Sequence, residues 1–156
     1  MSFVHRSLAI GLAAGLVTAA GPSAAELEKW NQAEITALSK QLADATQQLY
    51  DTFYRQPPPS VGSMHARDYY RLKQVIRRLR EEADQLHADV AKGDGMEETL
   101  PAYDDLMEKV RDAREIWARV FTSKDLRDSA DVARGILNQI SPYYDPGAVP
   151  LEAVAR

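Results

Sequence analysis

Between residues 72 and 90 the apolar side chains Leu72, Ile76, Leu79, Ala83, Leu86 and Val90 recur at steps of four and three, separated by charged and amide residues. Residues three and four apart share one face of an α-helix, so this spacing writes a single apolar seam, the pattern by which helices pack into bundles. Nowhere does the chain alternate apolar and polar residues over a useful length. A sheet would have no strands to draw on, and the expected fold class is all-α.

The same reading divides the rest of the chain. Leu27, Trp30, Leu38, Leu42, Ala45, Leu49 and Phe53 mark a first helix over about 26–55, and Pro57-Pro58-Pro59 ends it, because proline lacks the backbone donor and disfavours helical geometry in the residue before it. The heptad seam belongs to a second helix over about 64–91. Gly93-Asp94-Gly95 is a tight turn, short enough to make its flanking helices antiparallel neighbours. A third helix over about 97–121 carries Leu100, Tyr103, Met107, Val110, Trp117 and Phe121, with Pro101 admitted because it falls in the first turn. Thr122 or Ser123 then caps a fourth helix over about 124–140, with Leu126, Ala130, Ala133, Leu137 and Ile140 inward, and Pro142 stops it.

The expected architecture is an antiparallel up-down-up-down four-helix bundle over residues 26–141, followed by an irregular tail over 142–156. At about 1.5 Å per residue the first helix is near 45 Å long and the fourth near 25 Å, so the fourth leaves one end of the seam uncovered. The tail, through Tyr143, Tyr144, Val149 and Leu151, is expected to fold over it.

Residues 1–25 are of another character. Met1–Arg6 holds one arginine and no acid, Ser7–Ala20 has no charge, Gly21-Pro22 breaks any helix, and Ser23-Ala24-Ala25 supplies small residues before Glu26. This is the layout of a cleavable secretory signal peptide. Its apolar run of about 14 residues is short of the roughly 20 a spanning helix needs, so no transmembrane anchor is expected after cleavage. The expected location is periplasmic or secreted. The chain has no cysteine, hence no disulfide and no thioether haem attachment, and its core must stand on packing alone. Removal of Arg6 with the signal leaves 18 basic residues against 23 acidic ones, a formal charge of −5 that argues for solubility and against nucleic acid as a partner.

In an antiparallel bundle the charges sort by end. Arg67, Arg71, Lys73, Arg77, Arg78 and Arg80 fill the first half of the second helix against Asp68 alone, and Arg114 and Arg119 join them from the third. Glu81, Glu82, Asp84, Asp89, Glu97, Glu98, Asp104, Asp105 and Glu108 gather towards the glycine turn. In the second helix this order opposes the macrodipole, which favours acids at the N-terminus and bases at the C-terminus. Pairs at i, i+4 such as Arg77 with Glu81 and Arg78 with Glu82 would offset part of the cost. Seven of the eleven aromatic residues after residue 25 collect at the basic end: Tyr50, Phe53, Tyr54, Tyr69, Tyr70, Trp117 and Phe121. Tyr54, Tyr69, Tyr70, Arg67, Arg71, Arg77, Arg78 and Trp117 therefore form the candidate binding surface, suited to a protein or a small anionic ligand through charge and cation–π contact. A hydrophobic plug closing the bundle end is the simpler account of the same aromatics.

Other chemistries have less to build on. There is no G-x-S-x-G, no phosphate-binding glycine loop and no H-E-x-x-H, so no catalytic residue is assigned. His65 and His87 stand about 33 Å apart along one helix and cannot share an ion. Asp84-x-x-His87 has the spacing of a di-iron half-motif, which needs a second copy and two more carboxylates. The leading expectation is an exported, noncatalytic binding module with no cofactor. The alternative is a periplasmic cofactor or metal carrier centred on His87, with Asp84 or, for haem, Met107 beside it. The second helix's heptad would equally serve a homodimer.

Overall fold

In the computed structural model, residues 27–60, 65–120 and 122–152 are described, and within them the chain forms four α-helices and no strand, the element content of a four-helix bundle. The signal-peptide segment and Phe121 lie outside the described residues. The helices are α1 (Gln32–Tyr54), α2 (Ala66–Lys92), α3 (Met96–Trp117) and α4 (Lys124–Ile140), and a single 3-10 turn, Ser141–Tyr143, continues α4.

The first helix starts later than its apolar pattern implies. Asn31 caps it: the side-chain oxygen accepts the Glu34 N–H at 3.4 Å, and Asn31 Nδ2 donates to the Glu34 carboxylate at 3.2 Å. Leu27 and Trp30 therefore precede the helix. The Glu28 N–H donates to the Pro142 carbonyl at 3.1 Å, and Trp30 packs edge-on against Tyr143 and Tyr144 at centroid distances of 6.4 and 5.7 Å. Helix α2 ends as its glycine requires, with Gly93 at φ 101° and its N–H on the Val90 carbonyl at 3.0 Å. Ser123 caps α4 by accepting the Leu126 N–H at 3.2 Å.

Two expectations for the third helix are corrected. Pro101 is its sixth residue, not part of its first turn, and both Pro101 and Glu97, whose carbonyl loses its helical partner, face solvent. Leu100 is exposed and Met107 only half-buried, while Thr99, Tyr103, Leu106, Val110, Ile116 and Trp117 turn inward. The heptad of α2 faces the core at every position, from Leu72 to Val90.

Helix α1 packs closely on α2 and on α4, and α2 packs on α3. Among the described residues α3 and α4, though consecutive, scarcely approach each other. One seam of the fold is therefore open, and the tail returns to it. Tyr143 and Tyr144 are buried, Leu151 rests against the core, and Val149 is 83% exposed. Among the described residues no helix is long and apolar enough to cross a membrane.

Candidate functional site

The starts of α2 and α4 and the ends of α1 and α3 are joined by polar contacts. Gln56, just past α1, donates through Nε2 to Ser123 Oγ at the start of α4, and the Tyr69 hydroxyl donates to the Gln56 carbonyl at 3.4 Å. Arg119, beyond α3, reaches Asp68 in the first turn of α2, Nε to Oδ2 at 3.5 Å. Segments far apart in sequence thus meet around the proline loop.

The eight candidate residues then separate by burial. Tyr69 and Trp117 are each only 6% exposed. Tyr69 stacks on Phe53 with centroids 5.0 Å apart, and burial raises its hydroxyl above the usual tyrosine range. These two rings close the end of the core, as a plug does. Tyr54 is 38% exposed and Tyr70 50%.

Tyr54 is already engaged. It stacks on Tyr50, one helical turn back, at 4.0 Å, and Lys73 Nζ from α2 lies 4.1 Å from its ring centroid. Arg80 covers Tyr50 at 4.8 Å. Two cations of α2 therefore sit on a two-ring stack of α1, each over the negative face of a π-system. This ladder was not foreseen, although Tyr50 and Tyr54 at i, i+4 facing a lysine and an arginine seven apart carry its signal.

Arg67, Arg71, Arg77 and Arg78 are all exposed. Arg77 lies 3.8 Å from Glu81, and Arg80 reaches Glu81 at 3.8 Å and Asp84 at 4.0 Å. The expected Arg78–Glu82 pair is not made. Among the described residues Arg67, Arg71 and Arg78 have no acidic partner within ion-pair distance. With Tyr70 they form a surface of unneutralised charge around one exposed ring.

His87 lies elsewhere, its Nδ1 3.1 Å from the hydroxyl of Ser39 on α1. Asp84 is turned towards Arg80, and among the described residues no three histidine, aspartate or glutamate side chains converge. His65 precedes α2 and borders a cleft with Pro57 and Pro59, far from His87.

Sequence reasoning missed a second feature, inside the open seam. A cavity of about 70 Å³ lies between α3 and α4, floored by Leu49, Ile76 and Leu79 and walled by Val110, Ala113, Trp117, Ala130, Ala133 and Leu137. Leu151 covers it, with Arg114, Arg134 and Glu152 at its mouth. Its one sequence signal is the run of small residues, Ala113 facing Ala130 and Ala133, where bulkier side chains would close the gap. The buried indole N–H of Trp117 has no acceptor among the described residues.

No protein-family model, curated protein or solved structure matches this chain.

Proposed function

We propose that this protein is an exported, noncatalytic binding module, an up-down-up-down helical bundle whose α2 face docks on an acidic partner protein. The observation that carries the reading is the exposed group Arg67, Tyr70, Arg71 and Arg78, none of whose arginines has an acid within ion-pair distance among the described residues. Arginines left unpaired at the positive end of a helix dipole oppose local stability, and an acidic surface laid across them would relieve that repulsion. Tyr70 adds an amphipathic ring of the kind enriched where proteins meet.

Antiparallel packing is supported by the contacts at the two ends: Gln32 Nε2 donates to the Val90 carbonyl at 2.7 Å, and Arg119 meets Asp68. Export rests on the composition of residues 1–25.

A photoreactive residue in place of Tyr70, expressed in the native host, tests the reading. A discrete crosslinked product is expected that weakens with added salt and is lost when Arg67, Arg71 and Arg78 are changed together to glutamate. An identical product from the charge-reversed protein would overturn the proposal. A product of twice the protomer mass would replace the acidic partner with a second copy.

A further inference from the structure

Leu151 is held as proteins hold a bound peptide. Asn138, on α4, accepts the Leu151 N–H through Oδ1 at 2.8 Å and donates through Nδ2 to the Leu151 carbonyl at 3.2 Å. Arg134 Nη1 donates to that same carbonyl at 2.9 Å. An asparagine amide carries one acceptor and two donors, so it can pair with both polar groups of one extended residue. All three bonds address the main chain, and they accept any residue except proline at this position. The side chain alone is read by the groove.

The groove is too large for the side chain it holds. About 70 Å³ remains between the α3 and α4 walls with Leu151 in place. That exceeds what a water molecule needs, but the floor and walls are apolar side chains, and a water requires two to four polar partners. Apolar space left unfilled forfeits the dispersion contacts a larger side chain would make. At the mouth, Glu152 and Arg114 both border the cavity without forming an ion pair.

We propose that the α3–α4 groove is a peptide-binding site for an extended partner segment that presents one bulky aromatic side chain, and that Leu151 occupies it in cis until displaced. The main-chain bonds from Asn138 and Arg134 hold the segment in place, and the aromatic ring fills the remaining cavity. A second copy's tail carries the same leucine and would have to compete with a tethered segment at about millimolar effective concentration, so it gains nothing by exchange. A segment that fills the groove better does gain. The tether is lightly held: Asp145, Pro146, Gly147, Val149 and Pro150 are exposed.

The test uses the full chain. Fluorescence anisotropy follows a labelled peptide of residues 146–152 and its Leu151→Phe version against the unmodified protein and against the Leu151→Asp variant, whose tail no longer fills the groove. The Phe version is expected to bind the variant at least about tenfold more tightly than the Leu version, and Asn138→Ala in the variant should lower that binding by at least about tenfold. Equal affinity of the two peptides, absence of binding, or indifference to Asn138→Ala would overturn the proposal. Leu151→Phe in the otherwise unmodified chain gives an independent reading, should Leu151→Asp fail to fold. It should raise the thermal midpoint and slow proteolysis of the tail, and a lowered midpoint would count against the site. A concentration-dependent dimer dissolved by Leu151→Asp would assign the groove to a second copy and overturn the partner assignment.

Discussion

The hydroxyls of Thr99, in the second turn of α3, and Tyr144, beyond the end of α4, lie 2.9 Å apart in a buried hydrogen bond. It joins α3 to the segment that follows α4, a helix that α3 scarcely touches along its length. Tyr103 stacks on Tyr144 at 4.2 Å and donates to Ser141 Oγ at 3.0 Å, so the bond belongs to a small polar network sealed by rings. Thr99→Val keeps the side-chain shape and leaves the Tyr144 hydroxyl buried without that partner, a change expected to cost about 1–3 kcal/mol in urea unfolding. Tyr144→Phe in the same chain should return part of the loss, because it removes the orphaned group. Additive losses from the two substitutions would show that the bond carries no coupling.

Alkaline pH should weaken the fold through its tyrosines. Burial, with Glu34 and Glu28 facing the hydroxyl, pushes Tyr143 from the ordinary 10.0 up to about 12, and burial also raises Tyr69, Tyr103 and Tyr144. The unfolded chain gives up these protons near pH 10, whereas the folded chain keeps that of Tyr143 to about 12. Stability is thus fully present below pH 10 and falls as pH rises through that window. Denaturant midpoints measured from pH 8 upward should decline more gently for Tyr143→Phe, which retains the ring against Trp30 and loses the titration. Parallel curves for the two proteins would contradict this account.

Two glycines should respond with opposite sign. Gly93 closes α2 at φ 101°, where an added Cβ meets no atom within 4 Å yet strains the backbone, so Gly93→Ala is expected to lose about 1 kcal/mol. Gly135 lies inside α4 with ordinary helical geometry and equally open space. Gly135→Ala should gain about 0.5–1 kcal/mol by restricting the unfolded chain and favouring the helix. The comparison needs only thermal midpoints, and a shared sign would refute the backbone argument.

Much of the fold was legible because its signals are local. The α4 limits, 124–140, coincide with the expected ones, since Pro142 and a cap at Thr122 or Ser123, of which Ser123 makes the bond, punctuate the helix, and the α2 seam faces inward at each heptad position. The start of α1 was not read correctly. Trp30 fits the helical period of the residues after it, but the Asn31 and Glu34 cap outweighs the continuation of that pattern. Periodicity identifies the inward face of a helix and says nothing about the distance to the next one. The gap between α3 and α4 depends on Ala113, Ala130 and Ala133 facing each other, a relation invisible before the helices are docked. For the same reason Tyr69 and Tyr70, adjacent in sequence and alike in chemistry, differ completely: one completes the core beside Phe53 and the other stands in solvent.

The cation-on-ring ladder between α1 and α2 gives the last prediction. Lys73 Nζ stands 4.1 Å from the Tyr54 centroid, and Lys73 is among the basic residues of α2 that lack an acid within ion-pair distance among the described residues. If the ring is what holds it, Lys73→Met keeps the apolar stem, removes the charge and should cost about 0.5 kcal/mol, the size of a partly exposed cation–π contact. Lys73→Arg should be nearly neutral, because a guanidinium stacks on aromatic faces at least as well. Relief of repulsion from neighbouring arginines pulls the other way, since removing one of several like charges from a basic face is itself favourable. A double-mutant cycle with Tyr54→Leu separates the two effects: repulsion is unchanged by loss of the ring, whereas the ring contact disappears with it. A coupling energy of zero would assign the position of Lys73 to packing alone.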